Sequence, residues 1–163
     1  MVKALLKNNW DVDKTPLDDI PPIHTGGYDD YTPRTAQVTV TNTTEITSGG
    51  GDTGISAKGG GGQELIQNKL GLMQLNTWAT WEDNHGKNPK QVTRLLADHV
   101  HDILLATGEI YLESRLAGTG YEDTELKFVT PGDGPNEQPP NTDPNITEFS
   151  YQVQARYAYE RRA

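Results

Sequence analysis

The chain has 163 residues, enough for one compact domain and too few for two full ones; with 17 Gly, 10 Pro and hydrophobic residues at 33%, its core is expected to be small and its loops long. The net charge of -9, from 23 acidic and 14 basic residues, argues against a surface built to neutralise nucleic-acid phosphate. The absence of cysteine excludes disulfides, thiolate metal sites and thiol nucleophiles, and no apolar run approaches the roughly 18 to 20 residues that span a bilayer.

In chain order, Val2 to Trp10 can form a short helix or strand and lacks the apolar stretch of a signal peptide, so the mature chain is expected to start in the cytoplasm. The stretch DVDKTPLDDIPPIHTGGYDDYTPRT follows, with Pro16, Pro21, Pro22 and Pro33. Proline fixes φ and removes a donor, so residues 1–36 read as an extended arm. QVTVTNT, from Gln37, alternates apolar and Thr positions and predicts a strand.

Ser48 to Glu64 is so rich in glycine that ordering it alone would cost more backbone entropy than its few apolar groups return. LGLMQLNTWATW then reads as a second strand, with Met73, Leu75, Ala79 and Trp81 on one side and Trp78 on the other. After the polar turn EDNHGK, Asn88 is a good N-cap, Pro89 sits where its missing N–H does no harm, and Gln91 stands in the capping-box position. Val92, Leu95, Leu96, Val100, Ile103 and Leu104 fall on one half of the helix, which Gly108 ends. That face is the expected main supplier of the core.

EIYLESRL and ELKFVT predict strands joined through GTGYED, and PGDGPNEQPPNTDPN a Pro-rich loop. The closing TEFSYQVQARYAYERRA places Phe149, Tyr151, Val153, Ala155, Tyr157 and Tyr159 on one face, with Ser150, Gln152, Gln154, Arg156 and Glu160 on the other. The expected fold is α+β, a mostly antiparallel sheet with one main helix packed on one face and long Gly- and Pro-rich loops. Residues 37–163 form its single domain, with insertions at 48–71 and 130–146.

Signals for chemistry are weak. After Gly49 comes GGDTG and then Ile55, where a phosphate loop needs Gly-Lys-Ser/Thr, and Lys58 is out of register, so a loop that packs against a partner is the better reading. His99 and His101 lie about 200° apart on a helix and cannot share a metal. His99 falls on the apolar face near Asp102, as a hydrogen-bonded core or edge histidine, and His101 points to solvent. His24 and His85 lie in loops without identifiable partners. The acidic pairs Asp18-Asp19, Asp29-Asp30, Glu82-Asp83 and Glu122-Asp123 read as solvated surface, because acid/base work needs carboxylates converging across a cleft. No Gly-x-Ser-x-Gly elbow or HExxH helix is present, so no enzyme activity, cofactor or metal is expected. Asn42-Thr43-Thr44 and Asn145-Ile146-Thr147 match the glycosylation sequon, which is short enough to arise by chance. Arg161 and Arg162 form a small basic tip, read as a solvated terminus or an interface contact.

A strand ending in WATW, a polar turn, the capped helix NPKQVTRLLADHVHDIL, further strands and a closing YQVQARYAYE resemble the tail-terminator (tail-completion or neck) proteins of long-tailed phages and archaeal tailed viruses. In that family a strand with a Trp near its end precedes a helix of the type aeaLadaVrdiL, and an aromatic-alternating strand closes the chain. The match runs from about Gln37 to Tyr159 in element order. Its implication is a structural virion protein forming a ring, usually sixfold, at the head-tail junction. Such a ring ends the tail tube and joins it to the head connector or stopper. The implied partners are further copies of the chain, the tail tube protein, the connector, and genomic DNA passing through the lumen without specific binding. The resemblance also implies assembly in the host cytoplasm, with no membrane involved. An acidic, Thr-rich and Lys-poor chain also fits solubility at high salt, as in a halophilic archaeal virus.

Head-to-tail rings need two different patches per subunit. The natural material is Gly49, Gly50, Gly51, Asp52, Ile55 and Lys58 in the Gly-rich loop, Pro131 and Pro139 in the Pro-rich loop, and Arg156, Arg161 and Arg162 in the last strand. The loops at Ser48 to Gly62 and Pro131 to Pro144 are longer than a minimal member carries, and a clear N-terminal helix is missing from the sequence pattern. A head-completion stopper, with a small β-barrel core, and a monomeric binding module using its loops as a ligand site are the alternatives. The capped helix between strands favours the terminator.

Overall fold

The computed structural model describes residues 2–25, 36–48, 55–58, 64–80, 88–107, 117–118, 126–132, 134–143 and 146–162. Helix α1 is Val2–Asn8, and a 3-10 turn follows at Val12–Lys14. The strands are β1 Ile23–Thr25, β2 Gln37–Ser48, β3 Ile55–Lys58, β4 Glu64–Thr80, β5 Leu126–Pro131, β6 Asn136–Glu137, β7 Asn141–Asp143 and β8 Ile146–Arg162. Between β4 and β5 lies helix α2, Pro89–Thr107. All eight strands form one sheet in the order β1-β2-β4-β8-β5, with β3 also on β4 and β6 and β7 also on β8. Among the described strands only β1 pairs in parallel, with β2. The architecture is α+β, a mostly antiparallel sheet with one main helix packed against it.

The first residues do not extend away as an arm. Ala4, Leu5, Leu6 and Lys7 favour helix, and Asn9 closes it by donating through both its backbone N–H and its side-chain amide to the Leu5 carbonyl. A clear N-terminal helix is therefore present, contrary to the sequence expectation. Leu5 and Leu6 are fully buried in the same cluster as Ile23, Val38, Leu75, Val100 and Val153. Prolines do not prevent this: the Pro22 carbonyl accepts from the Val38 N–H at 2.9 Å, and β1 begins with the next residue.

Strands β4 and β8, each of 17 residues, are the centre of the sheet and pair without interruption from Ile66↔Arg162 to Thr80↔Glu148. β2 lies along the other edge of β4, with a bulge between Asn42 and Thr44. β3 continues that line, pairing Ile55↔Gln67 through Lys58↔Glu64. Residues 48–71, expected as a loop insertion, thus contain β3 and the first part of β4. Gly49 to Asp52 lie outside the described residues.

The 130–146 segment also differs from a free loop. Pro131 pairs with Ala155, Gly132 N–H donates to Gln154 O at 2.7 Å, Asn136 pairs with Gln152, and Gln138 N–H donates to Ser150 O at 3.0 Å. β7 then pairs Asn141↔Glu148 through Asp143↔Ile146. The segment is an interrupted edge strand along β8, and proline is tolerated in sheets at such edges. Gly134 has φ 118° and passes so close to β8 that a Cβ there would meet Gln152 O at 2.9 Å.

Helix α2 starts as its sequence predicts: the Asn88 side chain accepts from the Lys90 N–H at 3.0 Å, and Pro89 is buried at the first position. Val92 and Leu96 pack with Ala36 and Ala79, while Val100, Ile103 and Leu104 join Met73, Leu75, Val153, Ala155 and Tyr157. Leu95 is only half-buried, and Thr93, Ala97, His99 and Thr107 are buried in addition. The Thr77 hydroxyl, fully buried on β4, donates to the Thr93 carbonyl at 2.7 Å and ties sheet to helix. Tyr157 packs over its cross-strand partner Gly71, occupying the space a Cβ at Gly71 would need. At 1.5 Å rise per residue the helix is about 28 Å long, whereas 17 strand residues extend about 55 Å. The helix covers the half of β4 from Ala79 to Met73, and the sheet continues past it.

Candidate interface surfaces

The two layers of the fold have two outer surfaces. On α2, Gln91, Arg94, Asp102 and Leu105 are exposed and Asp98 half-buried along the stripe opposite the core-facing side. On the sheet, alternation turns Leu70, Leu72, Gln74, Asn76 and Trp78 away from the helix. Register places Ala158, Arg156, Gln154, Gln152 and Ser150 of β8 opposite them. Near Trp78 this surface is closed: Trp78 Nε1 donates to the Thr39 hydroxyl at 3.0 Å, and Thr39 and Ser150 are buried. Towards Leu70 it opens, with Leu70 37% and Leu72 44% exposed and Arg156 and Gln154 exposed beside them.

A polar cluster lies where the N-terminal segment meets α2. His99 is 4% exposed, and its Nε2 accepts from the Asp11 N–H at 3.0 Å. Acceptance at Nε2 places the proton of the neutral ring on Nδ1. Both Nδ1 and the Trp10 Nε1 are buried without a hydrogen-bond partner among the described residues, and the two rings meet edge to face at 4.8 Å. Burial lowers the His99 pKa from its ordinary value, Lys14 lowers it further, and Asp11 and Asp102 oppose this. With its free lone pair committed to a backbone N–H, His99 is a clamp between segments and is poorly placed to act as a base. His24, on β1, also has a lowered pKa, through burial first and then Lys3 and Lys7 of α1. His101 is half-buried and does not stand in open solvent. Asp18 and Asp19 are exposed; His85 and the other three acidic pairs lie outside the described residues. Among the described residues, no group of three or more His, Asp or Glu could hold a metal ion.

Of the residues expected at an interface, the described ones fall in three places. Ile55 and Arg161 flank Gln67 across three strands, with Lys58 and Arg162 close by, so strand β3 and the last residues of β8 meet at one end of the sheet. Arg161 and Arg162 are strand residues paired with Gln67 and Ile66, and do not form a frayed terminus. Arg156 and Pro131 come from the middle, where Pro131 pairs with Ala155. Pro139 is exposed near the other end, next to Gln138, whose N–H reaches Ser150. The eleven residue steps along β8 from Ser150 to Arg161 measure about 36 Å, so these residues do not converge on one patch. Two features escaped the sequence reading. The Trp10–His99 contact joins residues far apart in the chain and has no local signal. The exposed leucines do have one: Leu105 is the leucine of α2 lying off its apolar side, and Leu70 and Leu72 share the face of Trp78.

No helix of the described residues is long and apolar enough to cross a membrane. Compared with protein-family models and with curated proteins, the sequence matches none.

Proposed function

We propose that this protein is a structural virion component that forms a ring at the head-tail junction of a long-tailed virus, ends the tail tube and joins it to the head connector. It acts by packing, and genomic DNA passes through the lumen. The observation that carries this reading is that the three elements of the resemblance form a single unit. The Trp78-bearing strand β4 and the closing strand β8 lie side by side at the centre of the sheet, and the capped helix α2 lies across both. The sheet runs from β1 to β5 without its edges pairing among the described residues, which favours the terminator over a stopper with a closed barrel core. A chain of net charge -9 suits a conduit that lets phosphate slide past.

The test is the mass of the full-length protein by light scattering after size exclusion, at low and at molar salt, with negative-stain images of any large species. A second arm adds the protein to polymerising tail tubes. Closed rings, or tubes capped at one end and arrested in length, are the expected results. A folded monomer in both salts that leaves tube growth untouched would sink the proposal and favour the monomeric binding module.

A further inference from the structure

Leu105 is 62% exposed at the C-terminal end of the outer α2 stripe, one turn after the exposed Asp102, with Asp98 one turn earlier again. On the opposite layer of the sandwich, Leu72 is 44% exposed and pairs in register with the exposed Arg156. Each layer therefore offers an exposed leucine beside a charge, and the two charges are opposite. From this juxtaposition we infer that the outer sheet face at Leu72 and Arg156 of one copy receives the outer α2 stripe at Leu105 and Asp102 of the next. The inference rests on the ring reading above and adds the two surfaces that build it.

The partner is a second copy because the chain itself supplies both halves of the match. An unrelated acidic surface would match only the Arg156 patch, and a basic one only the patch at Asp98 and Asp102. Another copy satisfies both patches at once. Because the patches differ and lie on opposite layers, the contact is head-to-tail: every bound copy leaves one patch open at each end, and the series stops only when the rotation closes a ring. An isologous dimer would use one patch twice and would bring Arg156 against Arg156. Partly exposed leucines bordered by polar groups fit the pattern of an apolar anchor with a polar rim. Gln74 and Gln154 beside Leu72, and Gln91 and Arg94 along the helix, supply that rim.

Two full-length variants, Leu72→Asp and Leu105→Asp, each block one patch. Both positions are exposed enough that folding is retained, which far-UV circular dichroism and thermal melting verify. A second pair, Arg156→Asp and Asp102→Arg, tests the same patches through charge alone. Each Leu variant alone is expected to be monomeric at subunit concentrations where the wild type assembles, a weakening of tenfold or more. Mixed in equal amounts, they should form a species of twice the monomer mass and nothing larger, because each retains the patch that the other lacks. The charge pair should fail singly and assemble again when combined in one chain. Wild-type rings together with variants that still assemble would overturn the inference and leave the ring reading standing. Monomeric variants that stay monomeric when mixed would overturn it too. So would a wild type that never assembles, in which case tube capping alone decides the ring reading.

Discussion

A backbone N–H aimed at an imidazole nitrogen holds that histidine neutral, since a second proton would set two donors against each other. At His99 the bond from Asp11 and the buried position act in the same direction, and the pKa is lowered by burial and then by Lys14. In the unfolded chain the imidazole returns to its ordinary value of 6.5. As pH falls through that value the unfolded state takes up the proton first, so the contribution of His99 to stability is complete above it. It is lost progressively towards the lower folded-state pKa. Urea midpoints should therefore fall more between neutral and mildly acidic pH for the wild type than for His99→Gln, whose amide oxygen can accept from Asp11 without titrating. Parallel pH profiles for the two proteins would remove the clamp from the account. The position of His99 on the apolar side of α2 was legible from spacing, but its partner was not, because it is a main-chain donor 88 residues away. The Gly71–Tyr157 pair was hidden for the same reason: alternation shows which face a strand residue takes, and only register shows which ring covers a glycine.

At the scale of elements, local signals served best where a pattern is long. Asn88, Pro89 and the apolar spacing after them located α2, and the aromatic alternation located β8, because each repeats over several turns or residue pairs. Pro-rich pieces of two or three residues between breaks are too short to show a period, so residues 131–143 read as a loop although they follow β8 along its length. What holds them is a few donors, Gly132 and Gln138 N–H among them, and the 2.7 Å ion pair of Lys90 with Glu137, whose hydrogen bond raises the Lys90 pKa. The close approach at Gly134 makes this edge testable. Gly134→Ala puts a Cβ against Gln152 O at a φ that side chains rarely adopt, and should cost about 1 to 3 kcal/mol. Amide exchange at Gln138 should quicken as the edge strand lifts, while Pro139→Ala, at an exposed position, should stay within about 0.5 kcal/mol. An unchanged melt and unchanged exchange in Gly134→Ala would mean that the segment is not held to β8 as described.

For the whole molecule, the consequential difference between sequence and structure is where the domain begins. Prolines and acidic residues made residues 1–36 read as an arm, since composition registers breakers and charge but cannot register that Leu5, Leu6 and Ile23 share a core with Val100 and Val153. A small domain depends heavily on such contributions. Replacing one fully buried leucine by alanine costs about 2 to 5 kcal/mol, against a total stability of about 5 to 15 kcal/mol for a typical domain. Leu6→Ala should therefore lower the melting temperature strongly, and a fragment spanning residues 37–163 should lose cooperative unfolding altogether. An arm would predict neither effect. The distinction governs how assembly is probed: if the first 25 residues complete the core, trimming them abolishes rings by unfolding the subunit, and a truncation cannot locate an interface. Substitutions on exposed outer positions, with a cooperative melt as the control, can. A fragment of residues 37–163 that melts cooperatively near the wild-type temperature would return the first residues to the role of an arm and make them candidates for contact with a neighbour.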